Sequence, residues 1–266
     1  MSVQTLYTAA TGMESLQTKL DVLANNLANV NTVGFKKGRA NFEDLFYRQE
    51  KLPGLEDGGD GGPTPTGIAI GLGSRVSSTQ TNFSQGAFQQ TSRQLDLAIE
   101  GEGFFQVQFD GQQYYTRAGN FNINANGDLV MGSANSGRIL QPAINIPPEA
   151  TDIVITSNGT VGFRQPPETE LTNAGQIQVA LFQNPEGLLK LGDNLYQRTD
   201  SSGQESLVVP GQPGAGLIHQ NALEASNVEP VQELIDLITT QRAFELNSQT
   251  VQAGDQILQL IANLRR

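Results

Sequence analysis

The stretch LYTAATGMESLQTKLDVLANNLANV, residues 6–30, decides the fold of this 266-residue chain. Its apolar residues recur with alternating spacings of three and four, the heptad pattern of a helix that packs along a partner in a coiled coil. The pattern predicts a long N-terminal helix that ends near Asn31, where Gly34 can take a positive φ. The eight seam positions are Leu6, Ala9, Met13, Leu16, Leu20, Leu23, Leu27 and Val30.

A second long helix is predicted at the other end of the chain. Ser226 and Glu229 have the spacing of a capping box and Pro230 falls in the first turn, so this helix is expected to begin near residue 227. One apolar line with a seven-residue step consists of Leu237, Phe244, Val251 and Leu258. Its partner line, polar after the first member, consists of Leu234, Gln241, Ser248 and Asp255. We therefore expect terminal helices that pair with each other and with neighbouring molecules.

Three asparagines, Asn25, Asn26 and Asn29, lie inside the first heptad region. Asparagine is a poor helix former and is costly to bury without a hydrogen-bond partner. Two interpretations stay open: a solvated helix face that frays toward Gly34, or side chains that flank the seam, fix the register or bind neighbouring subunits.

The middle of the chain has a different pattern. Residues 51–75 hold eight glycines and three prolines, which predicts a linker or extended arm. Between residues 76 and 225, Asn126-Gly127 and Asn158-Gly159 each join alternating apolar runs, a strong hairpin signal. Further strands are expected at 95–99, 104–109 and 177–182.

These patterns predict an α+β fold with paired N- and C-terminal helices in a coiled coil, a central antiparallel β-rich domain and a Gly/Pro-rich arm. The expected domains are 1–35 with 227–266 for the helices, 36–75 for the arm and 76–226 for the β-rich domain.

Charge and composition exclude several classes of function. A net charge of −11 argues against nucleic acid as a partner, because binding to phosphates needs clustered basic residues. The one basic cluster, Lys36, Lys37 and Arg39, is interpreted as a solvated turn. There is no cysteine, no apolar run long enough to span a bilayer and no pattern of a cleaved signal peptide.

No catalytic or metal-binding constellation can be found in the sequence. His219 is the only histidine and is interpreted as structural. The glycines of 101–103 are expected to flank a turn or bulge, since a strand pattern follows instead of a helix start. DGGDGG at 57–62 lacks calcium-loop spacing, and adjacent Glu43 and Asp44 have no identifiable partner acid. We expect no enzyme activity and no cofactor.

The segment ANNLANVNTVGFK, residues 24–36, resembles the N-terminal signature of the flagellar axial proteins, the family of rod and hook subunits. Other stretches are similar in order and position to the distal-rod members of that family. They are FEDLFY (42–47), GIAIGLGSRV (67–76), EGEGFFQV (100–107), YTRAGNF (115–121) and 222–258.

The resemblance implies a structural subunit of the distal rod that polymerises helically into a hollow, stiff drive shaft through which export substrates pass. It implies an inner coiled-coil layer of terminal helices, with Gly34 and Phe35 at the assembly interface, and a stiffening role for the stretch 42–76. Implied partners are further copies, proximal rod proteins, the hook protein and the surrounding rings, without membrane insertion. The implied location is the periplasmic part of the basal body, reached by type III export without a cleaved signal.

Two alternatives stay open: a proximal rod or hook-type axial subunit, and an acidic β-domain hydrolase whose helical ends dimerise. The hydrolase would need a convergent acid or nucleophile constellation in a pocket.

Overall fold

The computed structural model describes residues 3–52, 66–132, 137–166 and 170–264. Within these residues, two long helices lie at the two ends of the chain and twenty strands lie between them in sequence. In chain order the elements are α1 (Val3–Ala28), β1 (Gly38–Asp44), β2 (Tyr47–Lys51), β3 (Ile68–Gly71), β4 (Ser74–Thr81), β5 (Phe88–Gln90), β6 (Leu97–Glu100), β7 (Phe104–Phe109), β8 (Gln112–Thr116), β9 (Phe121–Ile123), β10 (Leu129–Met131), β11 (Ile139–Gln141), β12 (Asp152–Ile155), β13 (Thr160–Arg164), β14 (Thr172–Gln176), β15 (Val179–Leu181), β16 (Leu189–Gly192), β17 (Leu195–Gln197), β18 (Ser206–Val208), β19 (Leu217–Gln220), β20 (Ala222–Glu224) and α2 (Pro230–Leu264). The α+β fold with terminal helices and a β-rich middle is confirmed.

The chain divides into two compact units. The helical unit comprises the described parts of Met1–Leu27, Gly38–Gln80 and Glu229–Arg266, and the β-rich unit comprises Ala28–Lys37 and Thr81–Val228. The strands up to residue 80 thus belong with the helices, whereas the predicted β-rich domain begins at residue 76.

In the helical unit, α1 and α2 run antiparallel. Leu6 packs against Gly254, Gly12 lies close to Asn247, and Asn26 is hydrogen-bonded to Glu233. As the residue number rises along α1, that of the contacting residue falls along α2, which fixes the direction.

The predicted arm contains strands on both sides of the undescribed segment 53–65. β1 pairs with β4, and β2 pairs antiparallel with β3, with Lys51 opposite Ile68. Much of the described part of the predicted arm therefore forms paired strands. The acidic glycine run 57–62 lies outside the described residues.

The β-rich unit is built on a nine-stranded sheet with β7 near its centre. One edge of β7 pairs with β8, and the other pairs first with β15 and then with β11. Phe105, Val107, Phe121 and Leu140 are completely buried in the core of this unit. Smaller pairings are the sheet β12–β13–β14 and the pairs β6–β19 and β5–β20.

Both predicted Asn-Gly hairpins are confirmed. Gly127 joins β9 to β10 with φ 91°, and Gly159 joins β12 to β13 with φ 81°, a conformation in which glycine carries no steric penalty. The glycines at 101 and 103 also have positive φ and connect β6 to β7, as expected for a glycine-flanked turn.

The helix boundaries differ slightly from the predicted ones. α1 ends at Ala28, three residues before Asn31, and α2 begins at Pro230. The first helical N–H bond of α2 runs from Glu233 to the Glu229 carbonyl, 3.0 Å away. Glu229 therefore occupies the cap position, and Pro230 follows at the first helical position, where its missing N–H costs little.

Candidate assembly surface

The predicted seam of α1 faces the interior of the helical unit. Ala9 and Leu23 are buried, and the other seam residues of the helix are half-buried. These half-buried residues are Leu6, Met13, Leu16, Leu20 and Leu27. The side chains proposed from sequence for assembly are thus already partly covered within one chain, and their role between copies remains a prediction.

On α2, one predicted line faces inward and the other does not. Leu237, Phe244 and Val251 are half-buried, while Leu258 is exposed. The second inward line is Glu233, Thr240, Asn247 and Gly254. It lies one residue before the predicted line of Leu234, Gln241, Ser248 and Asp255, which is mostly exposed. Because the true line is polar or small throughout, apolar periodicity could not reveal it.

Asn26 is not part of a solvated, frayed helix face. Its side chain is 2% exposed and exchanges two hydrogen bonds of 2.9 Å with the backbone of Gly38. It also donates to Glu233 Oε2 at 3.1 Å. Asn26 thus connects the chain after α1 to the start of α2 within one molecule.

The other two asparagines lie in different surroundings. Asn25 is exposed. Asn29 Oδ1 accepts a hydrogen bond from the Thr32 hydroxyl at 3.2 Å, and its carbonyl accepts one from the Thr32 N–H at 3.1 Å. Asn29 therefore stabilises the turn that follows α1.

The side of α2 opposite the inward lines carries large apolar residues that nothing in the described part of the helical unit covers. Val231, Leu234, Ile235 and Ile238 have the spacing i, i+3, i+4, i+7 and are between 44% and 72% exposed. We call these four residues the outer stripe. Contiguous apolar surface of this kind marks an interaction site. The spacing is visible in the sequence, but of these four residues only Leu234 belongs to a line that was predicted for α2.

Further exposed apolar side chains lie on the strands of the helical unit and their connections. Phe46, in the β1–β2 connection, is 87% exposed. The other exposed apolar residues near it in sequence, or on β3, which pairs with β2, are Phe42, Tyr47, Leu52, Ile68 and Ile70. We call this set the strand patch.

Gly34 and Phe35 belong to the β-rich unit. Gly34 has φ 69°, and a Cβ there would lie 2.6 Å from the Ala118 nitrogen, so that only glycine fits. Phe35 is buried, with the Lys190 ammonium 4.0 Å from its ring centre. Both residues anchor the segment after α1 to its own chain; their place in an assembly interface remains a prediction.

Lys36 corrects the interpretation of the basic cluster as a solvated turn. Its side chain is fully buried, with Nζ 2.6 Å from Glu224 Oε1. Burial lowers the pKa of Lys36, and the neighbouring Glu224 partly opposes that effect. In the sequence, Lys36 lies close to a turn, next to Lys37 and near Arg39. Nothing in that local pattern indicates that its side chain is buried.

The described residues contain no group of three His, Cys, Asp or Glu side chains able to hold a metal ion. His219 is exposed and paired with Glu100. Among the same residues, no helix is long and apolar enough to cross a membrane.

Three family profiles match this chain. The profile described as "Flagella basal body rod protein" matches residues 6–36. "Flagellar hook protein FlgE/F/G D1 domain" matches 98–163, and "Flagellar basal body rod FlgEFG protein C-terminal" matches 219–264. The matches thus cover α1 with its following turn, much of the β-rich unit, and α2.

Curated relatives extend the similarity along the whole chain. The flagellar basal-body rod protein FlgG of Caulobacter vibrioides is 43% identical over 99% of this chain and 100% of its own length. FlgG of Bacillus subtilis is 39% identical over 99% of this chain and 100% of its own. The crystal structure of the Helicobacter pylori hook protein FlgE2 matches 71% of this chain and 43% of that chain at 14% identity, with a TM-score of 0.25, too low to support a comparison. From the identity over nearly its full length, the chain belongs to the FlgG family of flagellar basal-body rod proteins, structural subunits without enzymatic activity.

Proposed function

We propose that copies of this rod subunit polymerise helically into the stiff tube of the distal rod, and that the outer stripe of α2 is buried between copies. The observation that carries the proposal is the exposure of Val231, Leu234, Ile235 and Ile238 on a helix whose opposite side packs against α1. A surface that meets a different surface of the next copy generates a filament when the rotation does not close a ring.

The rest of the proposal follows the family. Terminal helices pair as a coiled coil in an inner layer around the export channel, and related rod and hook proteins are the neighbours along the axis. The surrounding rings, the periplasmic location and export without a cleaved signal complete the proposed setting.

The outer stripe can be tested with one charge. Ile238→Glu places a carboxylate on the stripe, and Thr239→Glu places the same charge on the next residue, which is also exposed. Glutamate is a good helix former, so α2 should form in both variants. We expect electron microscopy and sedimentation to show tubes from the parent chain and Thr239→Glu, and monomers from Ile238→Glu. Tubes of normal yield from Ile238→Glu would exclude the stripe as an interface.

The strand patch supports a proposal about stiffness. Exposed Phe46 and its neighbours flank the undescribed segment 53–65, in the stretch that resembles the stiffening insertion of distal-rod proteins. Since Lys51 pairs with Ile68, replacing residues 52–67 by Asn-Gly should close β2 and β3 as a tight hairpin. We expect the resulting tubes to be more curved or flexible in electron micrographs. Tubes with unchanged curvature and stiffness would show that residues 52–67 do not stiffen the tube.

A further inference from the structure

Two chain segments meet at one carboxylate in the β-rich unit. The first is the exit segment, residues 32–37 after α1, and the second is the entry segment, residues 222–228 before α2. Glu224 Oε1 accepts hydrogen bonds from Lys36 Nζ at 2.6 Å and from the Gly86 N–H at 3.0 Å. The Glu224 carbonyl accepts one from the Gly34 N–H at 2.8 Å. Glu224 therefore holds the exit segment through both its side chain and its backbone.

A third charge completes the cluster. Arg117 lies between β8 and β9, with Nη1 3.5 Å from Glu224 Oε2. Its guanidinium also donates to the carbonyls of Ile99, at 3.3 Å, and Gly101, at 2.7 Å. Lys36 and Glu224 are fully buried and Arg117 is 4% exposed, so solvent screens none of these charges effectively.

The buried charges do not balance, because one buried carboxylate faces two buried cations, while a further anion, Glu102, acts on Arg117 only from an exposed position. Removing Glu224 would leave Lys36 and Arg117 beside each other without a buried anion, and an uncompensated buried charge is strongly destabilising. Removing Lys36 would leave a balanced Arg117–Glu224 pair, but Glu224 Oε1 would lose the hydrogen bond from Lys36 Nζ, which is its shortest. The cluster thus depends most on Glu224 and less on either cation.

A neutral set of hydrogen bonds joins the same two segments. Asn227 Oδ1 accepts from the Lys37 N–H at 2.8 Å, and Asn227 Nδ2 donates to the carbonyls of Asn82 and Ser84, at 2.9 and 3.1 Å. The Ser84 carbonyl also accepts from Lys36 Nζ at 2.8 Å. Each segment is therefore bonded to the other and to the same stretch of chain, residues 82–86.

We propose that Lys36, Glu224 and Arg117 form a latch that holds the exit and entry segments on the β-rich unit as one cooperative element, so that neither segment detaches without the other. Such a latch fixes the points at which the chain arrives from α1 and leaves for α2. It acts inside one molecule and does not depend on assembly.

Hydrogen exchange of the full-length chain, read by mass spectrometry below the concentration at which tubes form, tests the latch. In Lys36→Met, we expect amide hydrogen exchange to accelerate about tenfold or more in both the exit and the entry segment. The substitution lies only in the exit segment, but segments that open together share one opening equilibrium. In Glu224→Gln, the acceleration should be larger, about a hundredfold, because two cations lose their anion. The slow amides of β7 and β8 should stay protected in both variants.

Asp152→Asn is the matched control, since it breaks an ion pair with Arg164 at 3.2 Å whose side chains are 44% and 50% exposed. It should leave both segments unchanged. Acceleration confined to residues 32–37 in Lys36→Met would overturn the proposal, as would equal acceleration throughout the β-rich unit. If Glu224→Gln fails to fold, Lys36→Met alone decides the question.

Discussion

The β-rich unit and the helical unit differ in how completely they bury their largest apolar side chains. The β-rich unit buries Phe105, Phe121 and Ile146 completely, whereas the helical unit leaves Phe46 and Val231 more than two-thirds exposed. The difference indicates that the β-rich unit completes its own core, while the helical unit by itself leaves large apolar side chains uncovered. The predictions below test this contrast, in order of decreasing effect.

The largest effect is expected from Leu23→Asp in the helical unit. Leu23 is 7% exposed, and a carboxylate there has no identified partner, so the packing of α1 should fail. We expect complete loss of tubes in electron micrographs, with the near-ultraviolet circular dichroism of the β-rich unit retained. Gln17→Asp adds the same charge at an exposed position of α1 and should assemble normally. Assembly of Leu23→Asp would show that the seam is dispensable.

The same substitution in both units compares their aromatic residues directly. Phe121→Ala removes a fully buried ring that packs edge-to-face on Phe105, 5.1 Å between ring centres, and should cost about 3–5 kcal/mol of unfolding free energy. Phe46→Ala removes an 87% exposed ring and should change that free energy by about 0.5 kcal/mol or less. Chemical denaturation of the monomers measures both. Similar costs for the two variants would contradict the contrast.

A smaller effect is expected at the exit segment. Gly34→Ala combines a positive φ with a Cβ that would meet the Ala118 backbone at 2.6 Å, and should destabilise the β-rich unit by about 1–3 kcal/mol. Gly111 has φ 74° with nothing within 4 Å of the position that an alanine methyl group would take, so Gly111→Ala isolates the backbone strain. Thermal unfolding should show a clearly larger loss for Gly34→Ala. Equal losses of stability in the two variants would mean that the close approach of residue 34 to the Ala118 backbone adds no destabilisation beyond the backbone strain.

The sequence allowed the regular parts of this fold to be predicted because they follow local rules. Heptad spacing located α1 and Asn126-Gly127 located a hairpin, each through interactions between residues near in sequence. The start of α2 was expected near residue 227 from the Ser226–Glu229 capping box, and it lies at Pro230 because Glu229, not Ser226, takes the cap position. Gly34 was recognised as a position for a positive φ for the same reason.

What could not be predicted depends on distant partners. Lys36 was assigned to solvent because its buried partner, Glu224, is 188 residues away. The inward line containing Thr240 and Asn247 is polar, and polar residues are assigned to the surface unless a partner is known. Two interpretations of Asn26 stayed open in the sequence, a solvated face or a side chain that fixes the register or binds a neighbour, and its partners Gly38 and Glu233 lie further along the same chain.

The most direct test of the central claim compares the outer stripe in monomers and in tubes. Carbene footprinting with mass spectrometry would measure labelling of Val231, Leu234, Ile235 and Ile238 in both states, with buried Phe121 and exposed Phe109 as references. The account predicts that labelling of the stripe falls toward that of Phe121 when tubes form. Tubes in which the stripe is labelled as strongly as in the monomer would contradict it.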